Sequence, residues 1–322
     1  MTLAFKDIEF RTELPEIPRA MPVIQTVAQC APERTRPVRA LAEHLQLSDL
    51  TEVDLPWGYA LGSEAGQVEF FAASGAVRGR SLKVINAFSD ERRDWPDVTR
   101  VDTADGAAWA IGEKSGRDLM EQSRSLLDRL GLAEDTAAAD VVLGQWALLD
   151  EEGAERDSGP GRATVRFSYA YENLPFIGPG SKTALHYEPL DKQPQLARMF
   201  HVHRSIGDAR SVEVGDVERA FSALLADPLL ASRVRRRARV ALTGVQVGLL
   251  ALPADTPQRF AVPTLAVEGV IEGLTDSDGR PHELRFGRYV PMASDETLRG
   301  AGVAGAELPT STVQRTRRDQ GE

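Results

Sequence analysis

The chain has 322 residues, 42% of them hydrophobic, and a formal charge of −10 at pH 7, enough length and apolar content to bury a real core. That acidity argues against a general nucleic-acid or anionic-membrane binder, because neutralising phosphates requires a net basic face. Cys30 is the single cysteine, which excludes a disulfide within the chain and a cysteine-built zinc site.

Residues 1–11, MTLAFKDIEFR, lack the basic and then apolar order of a secretory signal. No later window approaches the apolar run of a membrane span, so a cytoplasmic protein without a span is expected. Pro15, Pro18, Pro22 and Pro32 predict an extended, Pro-rich arm over 1–34. Pro37 then opens a short helix over 36–47, with Val38, Leu41, Ala42 and Leu45 at helical spacing. Strand-like runs follow at 51–61, 66–73 and 81–88, and this first unit is taken as 35–100. A second unit, 101–210, begins with a helix near 115–130 built on Leu119, Leu126, Leu127 and Leu130 and stopped by Gly131. Its strands are expected at 139–150, 163–172, 182–189 and 196–204, with a surface loop over Asp150–Arg162. The clearest runs from Ala163 to Tyr171, where Val165, Phe167, Tyr169 and Tyr171 alternate with Thr164, Arg166, Ser168 and Ala170. A third unit, 211–293, repeats the theme with a helix near 214–226 and strands at 237–251, 259–273 and 282–292, the last two separated by a Ser277-Asp-Gly279 turn. From 294 to 322 the pattern fades into an expected disordered tail. The fold class read from this order is α+β, with repeated modules of one helix packed on a curved antiparallel sheet.

The run Gly178-Pro-Gly-Ser-Lys-Thr183 invites a phosphate-loop reading. That loop needs Gly immediately before Lys and a helix after Thr. Ser181 stands before Lys182, and Ala184-Leu-His-Tyr187 reads as a strand. A Pro/Gly turn joining two antiparallel strands is expected instead.

With its flanks, Tyr169-Ala-Tyr-Glu-Asn-Leu-Pro-Phe-Ile-Gly-Pro-Gly-Ser-Lys-Thr183 resembles the repeated module of PepSY-like and YycH/YycI-like bacterial proteins. In that group a turn of the form G-[LI]-P-[VI]-x-G-P-G-x-K links two strands, and a small helix packs on a curved, cystatin-like sheet. The likeness is best over 115–205, weaker over 212–292 and marginal over 35–90. It implies a non-enzymatic regulator, inhibitor or protein-binding module. The group supplies no catalytic residues to carry over.

Three of the five histidines, His186, His201 and His203, fall within eighteen residues, together with Glu188. If 182–189 and 196–204 pair as a hairpin, His186 comes to lie opposite His201, and the four side chains share one face. Three imidazoles and a carboxylate would suit one divalent transition metal. Equally, Leu185, Tyr187, Phe200 and Val202 could form the buried face and leave the histidines in solvent. A metal-free alternative places one histidine as a general base near Tyr169 or Tyr171. The basic run Arg233–Arg239 could hold an acidic partner, but reads more simply as an exposed entry to a strand. The leading functional expectation is a non-catalytic binding or regulatory protein engaging a protein or peptide, with no cofactor. The alternative is a metal-dependent or acid-base enzyme of a bacterial biosynthetic pathway that uses the His/Glu cluster.

Overall fold

Alternation across Val165 and Phe167 gives one long strand a buried face, and the largest sheet assembles around it. The computed structural model describes residues 8–27, 31–90, 95–103, 106–134, 138–190, 193–215, 217–226, 230, 239–275 and 280–303. The chain opens with β1 (Ile8–Phe10) and β2 (Ala20–Val27), then α1 (Ala31–His44). An antiparallel meander follows, β3 (Thr51–Leu55), β4 (Gly58–Ser63), β5 (Gly66–Phe71) and β6 (Ala76–Ser81). After α2 (Leu82–Asp90) come the hairpin β7 (Val98–Thr103) and β8 (Gly106–Ile111), and then α3 (Glu113–Leu130). Next are β9 (Ala138–Leu149), β10 (Glu155–Ser168), β11 (Ala170–Tyr171), β12 (Leu174–Ile177), β13 (Lys182–Leu190), β14 (Gln193–Val202) and β15 (Ser205–Glu213). The remainder is α4 (Val217–Leu225), β16 (Arg239–Leu250), β17 (Phe260–Ala261), β18 (Pro263–Thr275), β19 (Pro281–Pro291) and α5 (Asp295–Gly300).

This architecture corrects the expected series of helix-on-sheet modules. Among the described residues the protein is mostly β, with nineteen strands against five helices. Strands from two of the expected units merge into one eight-stranded sheet, in the order β3-β4-β5-β6-β14-β13-β10-β9. The merger occurs because β6 pairs antiparallel with β14, Arg80 opposite Arg198 and Val77 opposite His201. A β-rich core that would otherwise be two is thereby shared: Leu41 and Leu45 of α1, Leu126 and Leu127 of α3, and Val68, Phe70, Val165, Phe167 and Leu185 of the sheet are one buried cluster. The C-terminal strands form a six-stranded sheet, β11-β12-β16-β18-β19 with β1 parallel to β16, and a smaller sheet β15-β2-β17. A second core there joins Phe221 and Leu224 of α4 to Leu242, Val267, Ile271 and Phe286.

Local chemistry explains the other departures. Residues 82–88, expected as a strand, are α2. The expected loop 150–162 is a tight turn and then β10. The Asp150 carboxylate accepts from the Glu152 and Ala154 amides at 3.1 and 2.7 Å, closing the turn in four residues. The leader contributes two strands, and Met21, Val23 and Ile24 are buried. The start of the tail is ordered as α5, where the Ser294 hydroxyl caps the Thr297 amide and Leu298 is fully buried. Gly131 ends α3 as expected, in the left-handed conformation at φ 67°. Cys30, positions 233–238 of the basic run and the Ser277–Gly279 turn lie outside the described residues. Among those residues no helix is long and apolar enough to cross a membrane.

Phe167 is 3% exposed at the centre of the first core. Phe167→Ala is therefore expected to lower unfolding free energy by about 3–5 kcal/mol in urea titrations, and an unchanged midpoint would contradict this packing.

Candidate functional site

The Gly-Pro-Gly turn does not join two strands of one sheet. β12 runs parallel to β16 in the C-terminal sheet, whereas β13 runs antiparallel to β10 in the eight-stranded one. Residues 178–181 therefore cross between sheets, and backbone must pass close to backbone. The Ala251 amide donates to Ile177 O at 2.8 Å, and the Gly180 amide to Ala251 O at 3.1 Å. A Cβ on Gly180 would collide with the Leu252 carbonyl, and Gly178 has φ 94°, so both glycines are required. A strand follows the turn, so no helix dipole faces it, and the phosphate-loop geometry is absent here.

The histidines divide between two faces. Thr183 lies opposite His201, and His186 lies opposite Arg198, with a bulge between His186 and Tyr187. The expected His186–His201 pairing is thus displaced by an odd number of residues, which sends the two rings to opposite sides of the sheet. His201 shares the core-facing side with Thr183 and Leu185, while Glu188 shares His186's side and accepts from Arg162 Nε at 2.7 Å. His203 follows the end of β14. The four expected ligands do not form one shell, and among the described residues no group of three or more His, Cys, Asp or Glu side chains is gathered to hold a metal ion.

On the core-facing side the polar groups satisfy one another. The Tyr169 hydroxyl and Thr183 Oγ1 are 2.6 Å apart, and Thr183 Oγ1 lies 2.7 Å from His201 Nδ1. The Tyr169 ring stacks on His203 at 4.2 Å, and His203 Nδ1 meets Ser181 Oγ at 3.1 Å. This does bring Tyr169 beside two histidines, as the acid-base alternative requires, but His201 and His203 are only 3% and 6% exposed. Burial pushes the Tyr169 phenol up to about 12. Burial, with the Arg204 charge, pushes His203 down to about 4. Arg204 is buried too, which lowers it to about 10. Its guanidinium donates to the carbonyls of Leu252, Pro253 and Thr256 at 2.9, 3.0 and 2.7 Å. The cavity beside His203 and Arg204 is about 10 Å³, at most the room of one water. A larger one of about 160 Å³ is bordered by Arg124, Asp128, Glu134, Phe167 and Tyr169.

The opposite side of the sheet carries charge that sequence inspection missed. Arg78, Arg80, Arg166 and Arg198 share it with His186, because each stands in register with that face, and Arg162 joins them through its bond to Glu188. They come from strands far apart in the chain, so no local motif announces them. His186 Nδ1 lies 2.9 Å from Thr164 Oγ1. Burial first, then the charges of Arg162 and Arg198, push His186 down to about 4. Glu188 is 1% exposed, and its second oxygen has no hydrogen-bond partner.

No protein-family model and no curated protein matches the chain. A solved structure, an uncharacterized protein from Eubacterium rectale ATCC 33656, is similar to it with a TM-score of 0.50 and 6% identity, over 84% of each chain. A likeness at that identity is one of fold alone.

Both His186 and His203 titrate near 4 in the folded chain, whereas an unfolded histidine titrates near about 6.5. Between those values the unfolded chain binds protons that the folded one refuses, so stability falls as pH is lowered through that window. The urea midpoint is expected to drop between about pH 7 and about pH 4.5, and His203→Gln to flatten the drop relative to its own neutral value. An equal slope in both proteins would remove His203 as a source.

Proposed function

We propose that the chain is a non-catalytic binding protein that accepts an extended segment of a protein partner along the free edge of β9. The observation that carries this reading is the contrast between the two ends of the eight-stranded sheet. At one end, β3 has five residues and bears Glu52 and Asp54, a short and charged edge of the kind that repels further strands. At the other, β9 has twelve residues, ADVVLGQWALL preceded by Ala138, with no proline and one charged residue. Val142, Leu148 and Leu149 are 39%, 51% and 57% exposed on it. β8 lies against β9 without joining its ladder, and among the described residues only β10 pairs with it. A long apolar edge on which no strand pairs among the described residues is costly in a free protein and suits strand addition, where backbone bonds supply affinity and alternate side chains supply selectivity.

The turn beyond β9 carries Asp150, Glu151 and Glu152, and β10 begins with Glu155. A partner strand with alternating apolar and basic residues complements that edge and its acidic end. The resemblance of 169–183 to PepSY-like modules points the same way, toward regulators and binders. The enzyme reading gains less support, since His201 and His203, the histidines nearest Tyr169, are buried, and the cavity beside His203 is only about 10 Å³.

A ten-residue peptide of alternating lysine and valine is a direct probe. It is expected to bind saturably, to slow amide exchange in Val141–Leu149, and to lose binding by about tenfold in Leu148→Lys/Leu149→Lys, a surface change that leaves the melting temperature near its original value. Binding without protection of β9, or equal binding by the variant, would overturn the reading.

A further inference from the structure

We propose that Arg80 and Arg198, on the outer face where β6 meets β14, form a binding site for a phosphate monoester group. The inference is independent of the β9 edge. Arg80 and Arg198 are directly opposite one another in the antiparallel register. Side chains so placed have Cβ atoms about 4.5–5.5 Å apart, and like charges there repel. Both residues are exposed. Continuing across the strands, Arg198 is opposite His186, His186 opposite Thr164, and Arg80 opposite Gln67.

Among the described residues, the acids on this face are engaged elsewhere. Glu69 pairs with Arg78, Glu188 with Arg162 at 2.7 Å, and Asp140 with Arg166 at 2.7 Å. Arg80 donates only to the neutral Gln67 amide oxygen, at 3.1 Å, and no carboxylate reaches Arg198 among the described residues. Two uncompensated guanidinium groups therefore stand side by side in a chain whose net charge is −10. The acidity of the whole makes this local excess a selective feature of one face rather than a general one.

The charge selects the ligand. A phosphate monoester carries about −1.5 to −2 at neutral pH and offers three acceptor oxygens, enough to engage two guanidinium forks at once. A single carboxylate or a phosphodiester carries one charge and leaves one arginine uncompensated. The neutral His186 ring and the Thr164 hydroxyl extend the same row and can add hydrogen bonds to a group seated there. Two sources share this chemistry, a phosphorylated side chain of a protein and a small phosphate ester.

Calorimetric titration of the full chain with inorganic phosphate at low ionic strength is expected to show one saturable equivalent. Arg80→Gln and Arg198→Gln should each weaken it by about tenfold or more, whereas Arg166→Gln, whose arginine is already paired with Asp140, should leave it unchanged. Arg198→Gln should also melt no lower than the parent, because it removes a like-charge neighbour. Arg198→Lys, which keeps the charge but not the fork, should bind phosphate more weakly at unchanged melting temperature and serves if the glutamine variant fails to fold. A phosphoserine peptide and glycerol phosphate, titrated in parallel, identify the source by which binds more tightly. The absence of saturable binding, retention of binding by the Arg80→Gln/Arg198→Gln protein, or an equal loss in Arg166→Gln would overturn the proposal.

Discussion

The pairing of β6 with β14 is the constraint on which the rest of the molecule depends. It spans only Val77–Arg80 and Arg198–His201, yet it turns two four-stranded meanders into one sheet and puts α1 and α3 over a common core. Without it both strands would be open edges, and the apolar faces of the two helices would each have half a platform. Gly79 lies on this seam. A Cβ there would press within 2.8 Å of Leu41 and 2.9 Å of Leu45, so the missing side chain is what lets α1 sit directly on the join. The same join brings Arg80 against Arg198 on the reverse side, so one short ladder sets both the packing of the core and the charge of the outer face.

A second constraint is the polar interior where the sheets meet. The segment 250–260 presents backbone groups to a region with little room for water. Gln258 answers three of them, donating to Leu250 O and Phe260 O and accepting from the Leu252 amide, while Arg204 takes the carbonyls of Leu252, Pro253 and Thr256. Thr26 Oγ1 donates to Gln258 O at 2.6 Å, tying β2 to the same loop. Buried carbonyls left unpaired would each cost about 1–3 kcal/mol. His201 and His203 belong to this interior and are best understood as part of its hydrogen bonding.

Local pattern was legible in the sequence, and long-range pairing was not. Helical spacing located α1, α3 and α4 to within a few residues, and period-two alternation identified Val165 and Phe167 as buried. The run from Leu82 misled because apolar residues at 82, 84 and 85 satisfy a strand as well as a helical turn. The prolines of the leader indicated an extended arm without showing that it joins a sheet; Pro22 sits where β2 meets β15, away from the short contact of β17 with Ile24 and Gln25, a place that tolerates a missing amide. The candidate ligands were legible as residue types and illegible as a site. Their register depended on a bulge at His186/Tyr187 that nothing in the composition announces. The paired arginines of the outer face are separated by more than a hundred positions along the chain and become neighbours only through the β6–β14 seam.

The route of the chain has a topological consequence. From β2 in the small sheet it passes to the eight-stranded sheet, leaves it after β10 for β11 and β12, returns at residues 178–181, and leaves again at residues 203–204 for β15. The two bodies are thus laced together by four passages. A single proteolytic nick in any one connection leaves them covalently linked through the others, so neither can be released as an intact fragment by one cut.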